Sequence, residues 1–260
     1  MDHSSAAGGG ASFDGVHELH LPQVGSTSTR LKELIVAGQV SGPTVLSTDH
    51  QTAGRGTRTR TWVSAPPEQL SSGQRARDLA LTYGSPWPEL IDPRLSLAIG
   101  VLLAEAIERA TKLKLALKWP NDLLAGDPPR KVGGVLLEHT HGWLLVGVGL
   151  NVNSRESDFP PDLQAQLTTL SALKRGPLDV SMLKVAVTRA LRQVPAVDLQ
   201  ECMRRFRERD CTAGTRYVLN RDGKQVQVTA AALADDGALL LHDAAGTEHR
   251  VASFTELERV

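Results

Sequence analysis

The stretch KLALKWPNDLLAGDPPRKVGGVLLEHTHGWLLVGVGLNV, residues 114–152, decides the fold. Three strand-like segments follow one another in it, KLALKW, KVGGVLLEH and GWLLVGVGLNV. Each is apolar enough to lie in a sheet covered by helices. Upstream, DPRLSLAIGVLLAEAIERATK reads as a long helix: Asp92 caps it, Pro93 suits its first position, and Leu95, Ile99, Leu102 and Ala106 recur at helical spacing. Further upstream, VHELHLPQV alternates as a strand does, and STSTRLKELIVAG reads as a helix with hydroxyls at its start and Gly38 beyond its end. A second strand, GPTVLSTDHQ, follows. Downstream come DVSMLKVAVTRALRQV, a helix ended by Pro195, and a charged helical segment reaching Arg209. Helices interspersed with consecutive strands predict an α+β domain, a mixed sheet packed against helices, over residues 15–210.

After Cys211 the texture changes. RYVLN, KQVQVTAAAL, ALLLHD and EHRVASF are short strands separated by Asp222-Gly223, Asp236-Gly237 and Gly246, turn residues able to take positive φ. Residues 211–260 therefore predict a small all-β unit, an appended barrel. At the other end, residues 1–14 are rich in Ser, Gly and Ala and are expected to form a flexible tail outside the fold.

The 260 residues, 41% hydrophobic and 22% charged, describe an ordinary soluble protein with room for one large core and a small satellite. No apolar run approaches the roughly 18 residues a membrane span needs, and no signal-peptide layout opens the chain, so a cytoplasmic location and no membrane partner are expected. Cys202 and Cys211 suggest neither a disulfide framework nor a zinc site. Lys+Arg and Asp+Glu balance at 29 each, which argues against a dedicated nucleic-acid binder and makes any basic cluster local.

One such cluster is HQTAGRGTRTRTW, His50 to Trp62. Glycines let backbone N–H groups converge on an anion, and the guanidinium groups of Arg55, Arg58 and Arg60 supply forked donors for phosphate or carboxylate. Trp62 either anchors the loop or stacks on a planar ligand; an exposed basic turn is the alternative. In KWPND a proline turn after a strand delivers Asn121 and Asp122 at a sheet edge, and Asp122 suits a magnesium ion completed by phosphate oxygens. Lys131, nine residues beyond, is placed to reach a phosphoryl oxygen across the turn, a solvated lysine being the alternative. Asn121 and Asp122 also suit a plain Asx-type turn. Gly133-Gly134 weaken a strand unless something approaches closely. In GVGLNVN, Asn151 and Asn153 are expected on one face of a strand, either as ligand contacts or as turn formers. The hydroxyls of GSTST, residues 25–29, cap a helix or bond a carbonyl ligand.

Taken in order, GSTST, HQTAGRGTRTRTW, KWPNDLL, KVGGVLLE and GVGLNVN resemble the catalytic domain of the biotin protein ligases, and the last fifty residues resemble that family's SH3-like domain. The resemblance implies ATP-dependent activation of biotin to biotinyl-5'-adenylate and transfer to a lysine of a biotin carboxyl carrier protein or domain, of acetyl-CoA carboxylase or a related carboxylase. It implies that Ser26, Thr27, Gln51, Gly54, Arg55, Lys131, Gly133 and Gly134 serve biotin. By the same resemblance Arg55, Arg58, Arg60, Trp62, Asn121 and Asn151 serve ATP, Lys131, Arg58 and Arg60 act in catalysis, and Asp122 marks the Mg2+ neighbourhood. It is compatible with a homodimer.

Three departures from the family pattern stand out. Thr59 replaces a usual glycine and Thr57 a frequent arginine, the segment APPEQLSSGQRARDLALTYGSPW is polar and arginine-bearing where an apolar strand is expected, and ASFTELERV lacks the usual glycine-containing finish. Only LALTY fits the missing strand. Three rival readings are a DNA-binding repressor, which the 24 residues before Gly25 leave no room for; a lipoate ligase or octanoyl transferase; and a catalytically impaired biotin- or nucleotide-binding module. No DNA partner is therefore expected.

Overall fold

The computed structural model describes residues 12–13, 15–57, 61–64, 77–221 and 223–259. Its larger sheet has eight strands: β1 (Ser12–Phe13), β2 (Val16–Val24), β3 (Thr44–Gln51), β6 (Leu79–Pro86), β7 (Leu115–Lys118), β8 (Asp122–Ala125), β9 (Arg130–Thr140) and β10 (Trp143–Leu150). They are ordered β1-β2-β3-β6-β10-β9-β8-β7. A separate two-stranded ribbon joins β4 (Gly54–Arg55) to β5 (Thr61–Trp62). β2 and β3 are parallel and every other neighbouring pair is antiparallel, which makes the sheet mixed as expected. The parallel pair needs a crossover, supplied by α1 (Thr27–Val36). LALTY is a central strand, between β3 and β10. Ser12–Phe13, inside the segment set apart as a tail, pairs with Val16 and His17.

The sheet divides its side chains by strict alternation. Leu46 and Leu145 turn to the face covered by α1, where Leu31 and Ile35 meet them. Val45, Tyr83, Leu144 and Val146 turn to the opposite face and join the main core with α2 (Leu95–Thr111) and α5 (Val180–Leu191). α2 starts two residues later than its sequence suggests. The N-cap is Arg94, with no side-chain cap, so the expected Asp92 cap is not made; Asp92 Oδ1 instead accepts from the Arg94 N–H at 2.9 Å, short of capping the helix. The helix is buried on more than the expected stripe, since Leu97, Val101, Leu103 and Ile107 are inside as well. Enclosure between the sheet, α5 and α6 (Leu199–Arg209) leaves it little solvent face. Asp179 and Asp198 cap α5 and α6 through their carboxylates. Two short helices, α3 (Pro161–Gln164) and α4 (Leu170–Lys174), lie between β10 and α5.

The C-terminal strands are β11 (Arg216–Arg221), β12 (Lys224–Leu233), β13 (Leu239–Asp243), β14 (Glu248–Val251) and β15 (Leu257–Arg259). They form a five-stranded antiparallel sheet in the order β14-β13-β12-β11-β15. The expected barrel is not closed: among the described residues no ladder joins β14 to β15, and β15 pairs with β11 alone. Nor does this sheet keep a core to itself. Tyr217, Leu219, Val228, Leu241 and Leu257 belong to the same apolar cluster as α2 and the large sheet.

Trp119 joins the two sheets. It is 2% exposed, its indole N–H donates to the Gly237 carbonyl at 3.0 Å, and its ring lies 5.2 Å from that of Phe254. Its backbone N–H donates to Thr212 Oγ1 at 2.8 Å. Truncating a side chain this enclosed leaves a cavity and an unpaired carbonyl. Trp119→Ala is expected to lower unfolding free energy by about 3–5 kcal/mol in urea denaturation, against about 1–3 kcal/mol for Trp119→Phe, which keeps the ring but loses the N–H donor.

Candidate functional site

A cavity of about 870 Å³ opens on the α1 face of the large sheet. Its floor is bare backbone. Gly134 on β9 and Gly147 and Gly149 on β10 line it, and alternation puts all three on this face. A methyl group on Gly147 would come within 2.9 Å of Ser28 Oγ, and one on Gly149 within 2.5 Å of the Trp62 indole. Side chains are therefore excluded where the α1 hydroxyls and the Trp62 ring lie against the sheet.

One end of the cavity is a hydroxyl and amide network at the start of α1. Ser26 has extended backbone and caps the helix, its Oγ accepting from the Thr29 N–H. Thr27 donates its N–H and its hydroxyl to Gln51 Oε1, at 2.8 and 3.1 Å. Thr82 Oγ1 donates to Thr27 Oγ1 at 2.9 Å and lies 3.0 Å from Ser28 Oγ. The arginine loop is rooted beside this network by Thr52 N–H to Val24 O and Ala53 N–H to Gly25 O. It then folds back as the β4–β5 ribbon, in which Gly54 faces Trp62; a methyl group on Gly54 would come within 2.5 Å of the Trp62 carbonyl oxygen.

The other end gathers charge. Arg55, Lys118, Arg130 and Lys131 line the cavity, whereas Asp122 is the only carboxylate doing so among the described residues. Lys131 reaches this face through a bulge. β8 and β9 pair Asp122 with Gly134 and Leu123 with Gly133, then pass over Val132, so that Leu124 faces Lys131. In an uninterrupted ladder Lys131 would point into the core on the far side. Displaced by the extra residue, its Nζ lies 2.5 Å from Asp122 Oδ1. Arg55 forks onto Glu138, at 2.9 and 3.2 Å, and Arg130 pairs with Glu156 at 2.8 Å.

Ser26, Thr27, Gln51, Arg55, Trp62, Asn121, Asp122, Lys131, Gly134 and Asn151 thus converge on one cavity. Gly133 does not line it. Its Cα faces the core side, where a methyl group would come within 2.5 Å of Leu150 Cδ2 and 2.7 Å of the Gly149 carbonyl oxygen. Gly54 likewise serves the ribbon rather than the cavity wall. Arg58, Thr59 and Arg60 lie outside the described residues. Asn151 and Asn153 part company, because β10 ends at Leu150: Asn151 lines the cavity and donates to the Thr168 carbonyl, while Asn153 turns away to Leu178. Segment 122–125, left out of the strands read from sequence, is strand β8. Sequence reading missed Lys118, 7% exposed and cross-strand from Asp122, together with Arg130, Thr82 and the wall carrying Phe159, Leu163 and Leu167. The lysine of KWPND was the one available signal among them. Neither cysteine lines the cavity, and burial pushes both thiols up.

Residues 21–153 match the family described as the biotin/lipoate A/B protein ligase family. The chain is 31% identical over 235 residues to the biotin–[acetyl-CoA-carboxylase] ligase of Mycobacterium tuberculosis, covering 86% of this chain and 82% of that protein. It is 32% identical over 162 residues to the bifunctional ligase/repressor BirA of Bacillus subtilis, covering 60% of this chain and 47%, about half, of that protein. The structure resembles the biotin protein ligase from Aquifex aeolicus solved in complex with biotin and ATP, with a TM-score of 0.75, 28% identity and coverage of 94% of this chain and 99% of that one.

The Gly149 contact makes a local prediction. Gly149→Ala is expected to lift the Trp62 ring and with it the β4–β5 ribbon. Hydrogen–deuterium exchange should rise in residues 52–57 and 61–64 and stay unchanged in β2, β3 and β6.

Proposed function

The chain belongs to the biotin/lipoate A/B protein ligase family, and from that premise we propose that it is a biotin–[biotin carboxyl-carrier protein] ligase. The observation that carries the reading is a single cavity with a neutral hydroxyl and amide end, a cationic end and Lys131 toward the latter, in a fold shared with an enzyme solved with biotin and ATP. Ser26, Thr27 and Gln51 are assigned to the biotin head. Asn121, Asn151, Arg55 and Arg130 are assigned to the nucleotide.

In the first half-reaction a carboxylate oxygen of biotin attacks the α-phosphorus of ATP, the bond to the bridging oxygen breaks, and pyrophosphate leaves. In the second, the amine of the acceptor lysine attacks the carbonyl carbon of biotinyl-5'-adenylate, AMP leaves, and the ammonium proton passes to solvent. Biotin and the acceptor lysine are the nucleophiles, so the protein supplies position and positive charge. Lys131 is assigned to the carboxylate and α-phosphate, and Trp62 with the arginine loop to shielding the anhydride from water. The assigned acceptor is the carrier protein or domain of acetyl-CoA carboxylase, or of a related carboxylase.

The described residues contain no group of three or more His, Cys, Asp or Glu side chains able to hold a metal. Asp122, the one carboxylate lining the cavity among the described residues, fits Mg2+ completed by phosphate oxygens and water, and there the ion would neutralise phosphate charge. No helix among the described residues is long and apolar enough to cross a membrane.

The test is biotin-dependent pyrophosphate release from MgATP, followed by the mass gain of an added carrier domain. Release with transfer is expected; biotin binding without pyrophosphate release would overturn the ligase in favour of a binding module. Lys131→Ala is expected to slow adenylation by about 100- to 1,000-fold with little change in unfolding free energy, and wild-type rates in that variant would remove Lys131 from the reaction.

A further inference from the structure

The polar stretch that departs from the family pattern ends in Arg77-Asp78, immediately before β6. Neither residue lines the cavity. Both hold the chain that leaves β10. Asp78 Oδ1 accepts from the backbone N–H groups of Val152, Asn153 and Ser154, at 2.7, 3.2 and 3.2 Å, and Oδ2 accepts from the Ser154 hydroxyl. The Arg77 carbonyl accepts a second bond from the Asn153 N–H at 2.9 Å. The Arg77 guanidinium pairs with Asp158 at 2.7 Å, with side chains 12% and 6% exposed. Two adjacent residues thus grip both ends of segment 152–158. Asn151 immediately precedes that segment and Phe159 immediately follows it, and both line the cavity.

The grip is stronger than turn formation requires. A charged acceptor holding three successive N–H groups fixes their orientation, because each bond is charge-assisted. Burial pushes the Asp78 carboxyl up from its ordinary value, and the hydrogen bonds from Ser154, Val152 and Asn153 pull against that rise. Asn151 donates its backbone N–H to the Val132 carbonyl at 2.8 Å and its side-chain amide to the Thr168 carbonyl at 3.3 Å, which orients it toward the cavity wall. Gln164 Nε2 secures the Phe159 carbonyl at 2.8 Å.

We propose that Arg77 and Asp78 are positioning residues for the nucleotide: they clamp segment 152–158 so that Asn151 and Phe159 form a preset wall at the cationic end of the cavity. The inference rests on the assignment of that end to ATP. It predicts a selective defect. Loss of the clamp degrades nucleotide binding while the hydroxyl network at the start of α1 keeps its geometry, because Thr82 is held within β6 by its ladders to β3 and β10 and none of the network's bonds involves segment 152–158.

The experiment measures binding of the α,β-methylene analogue of ATP at saturating biotin, and binding of biotin alone, by calorimetry on the full chain. Asp78→Ala is expected to weaken the analogue roughly 10- to 100-fold while biotin affinity changes less than about twofold. Asp78→Asn, which keeps an oxygen acceptor for the three N–H groups, is expected to recover most of the loss. Equal losses for both ligands, or an unchanged analogue affinity, would overturn the proposal, and a variant with lowered melting temperature and parallel losses counts as such a failure. Wild-type protein that binds the analogue but releases no pyrophosphate sinks the ligase reading and still leaves the Asp78 comparison decisive. If the wild type binds no nucleotide, both fall.

Discussion

A protein of zero formal charge that gathers Arg55, Lys118, Arg130 and Lys131 into one cavity must keep those cations from repelling one another before an anion arrives. Acids meet them: Arg55 pairs with Glu138, Arg130 with Glu156 and Lys131 with Asp122. These pairs are partly solvated, with side-chain exposures between 24% and 46%, and pairs of that kind contribute about 0–1 kcal/mol each. On the proposed assignment of this end to ATP, a polyphosphate would displace the acids at small cost, since it offers several forked acceptors at once. The resident acids hold the guanidinium and ammonium groups near their working positions without binding them irrevocably. Much of the rest of the site follows from this requirement. Glu138 stands on β9, Glu156 on the segment held by Arg77, and Asp122 on the hairpin held by Trp119, so each acid is fixed by a different part of the fold.

The bulge at Val132 and the glycine floor satisfy a second requirement, that a sheet with helices on both faces still expose one patch of backbone. Alternation alone would assign Lys131 to the core and a side chain to each floor position. One extra residue corrects the first and three glycines the second.

The succession of strands, the main helices and the order of the motifs were legible because each depends on local pattern: period and turn residue. What stayed hidden depends on register between distant strands. Nothing in RDLALTY announces that Asp78 will meet backbone amides 74 to 76 residues away. Nothing near Lys131 shows that Val132 will be passed over, or that Gly133 and Gly134 will serve opposite faces. β8 escaped notice because four residues between two turns show no period. The barrel expected at the C-terminus was inferred from strand count and turn spacing, and closure depends on which edges pair, which neither quantity encodes.

The KWPND motif shows why a site motif read from sequence gives only half of its own explanation. Lys118, Asn121 and Asp122 line the cavity, while Trp119 between them points the other way and is enclosed by Thr212, Gly237 and Phe254. Alternation at the end of β7 sets that division: with Lys118 on the cavity side, the next residue, Trp119, falls on the core side. A tryptophan there, with an N–H committed to a carbonyl on the second sheet, makes the hairpin rigid at the point where Asp122 holds Lys131. The second sheet shares the main apolar core and closes around this ring, so its packing and the placing of the cationic end are one mechanical problem. The β12–β13 turn presses on it from the far side, with Gly237 so close to α2 that a methyl group there would come 3.2 Å from Arg94 and Leu97. The C-terminal strands thus act on the site through Trp119 without lining it.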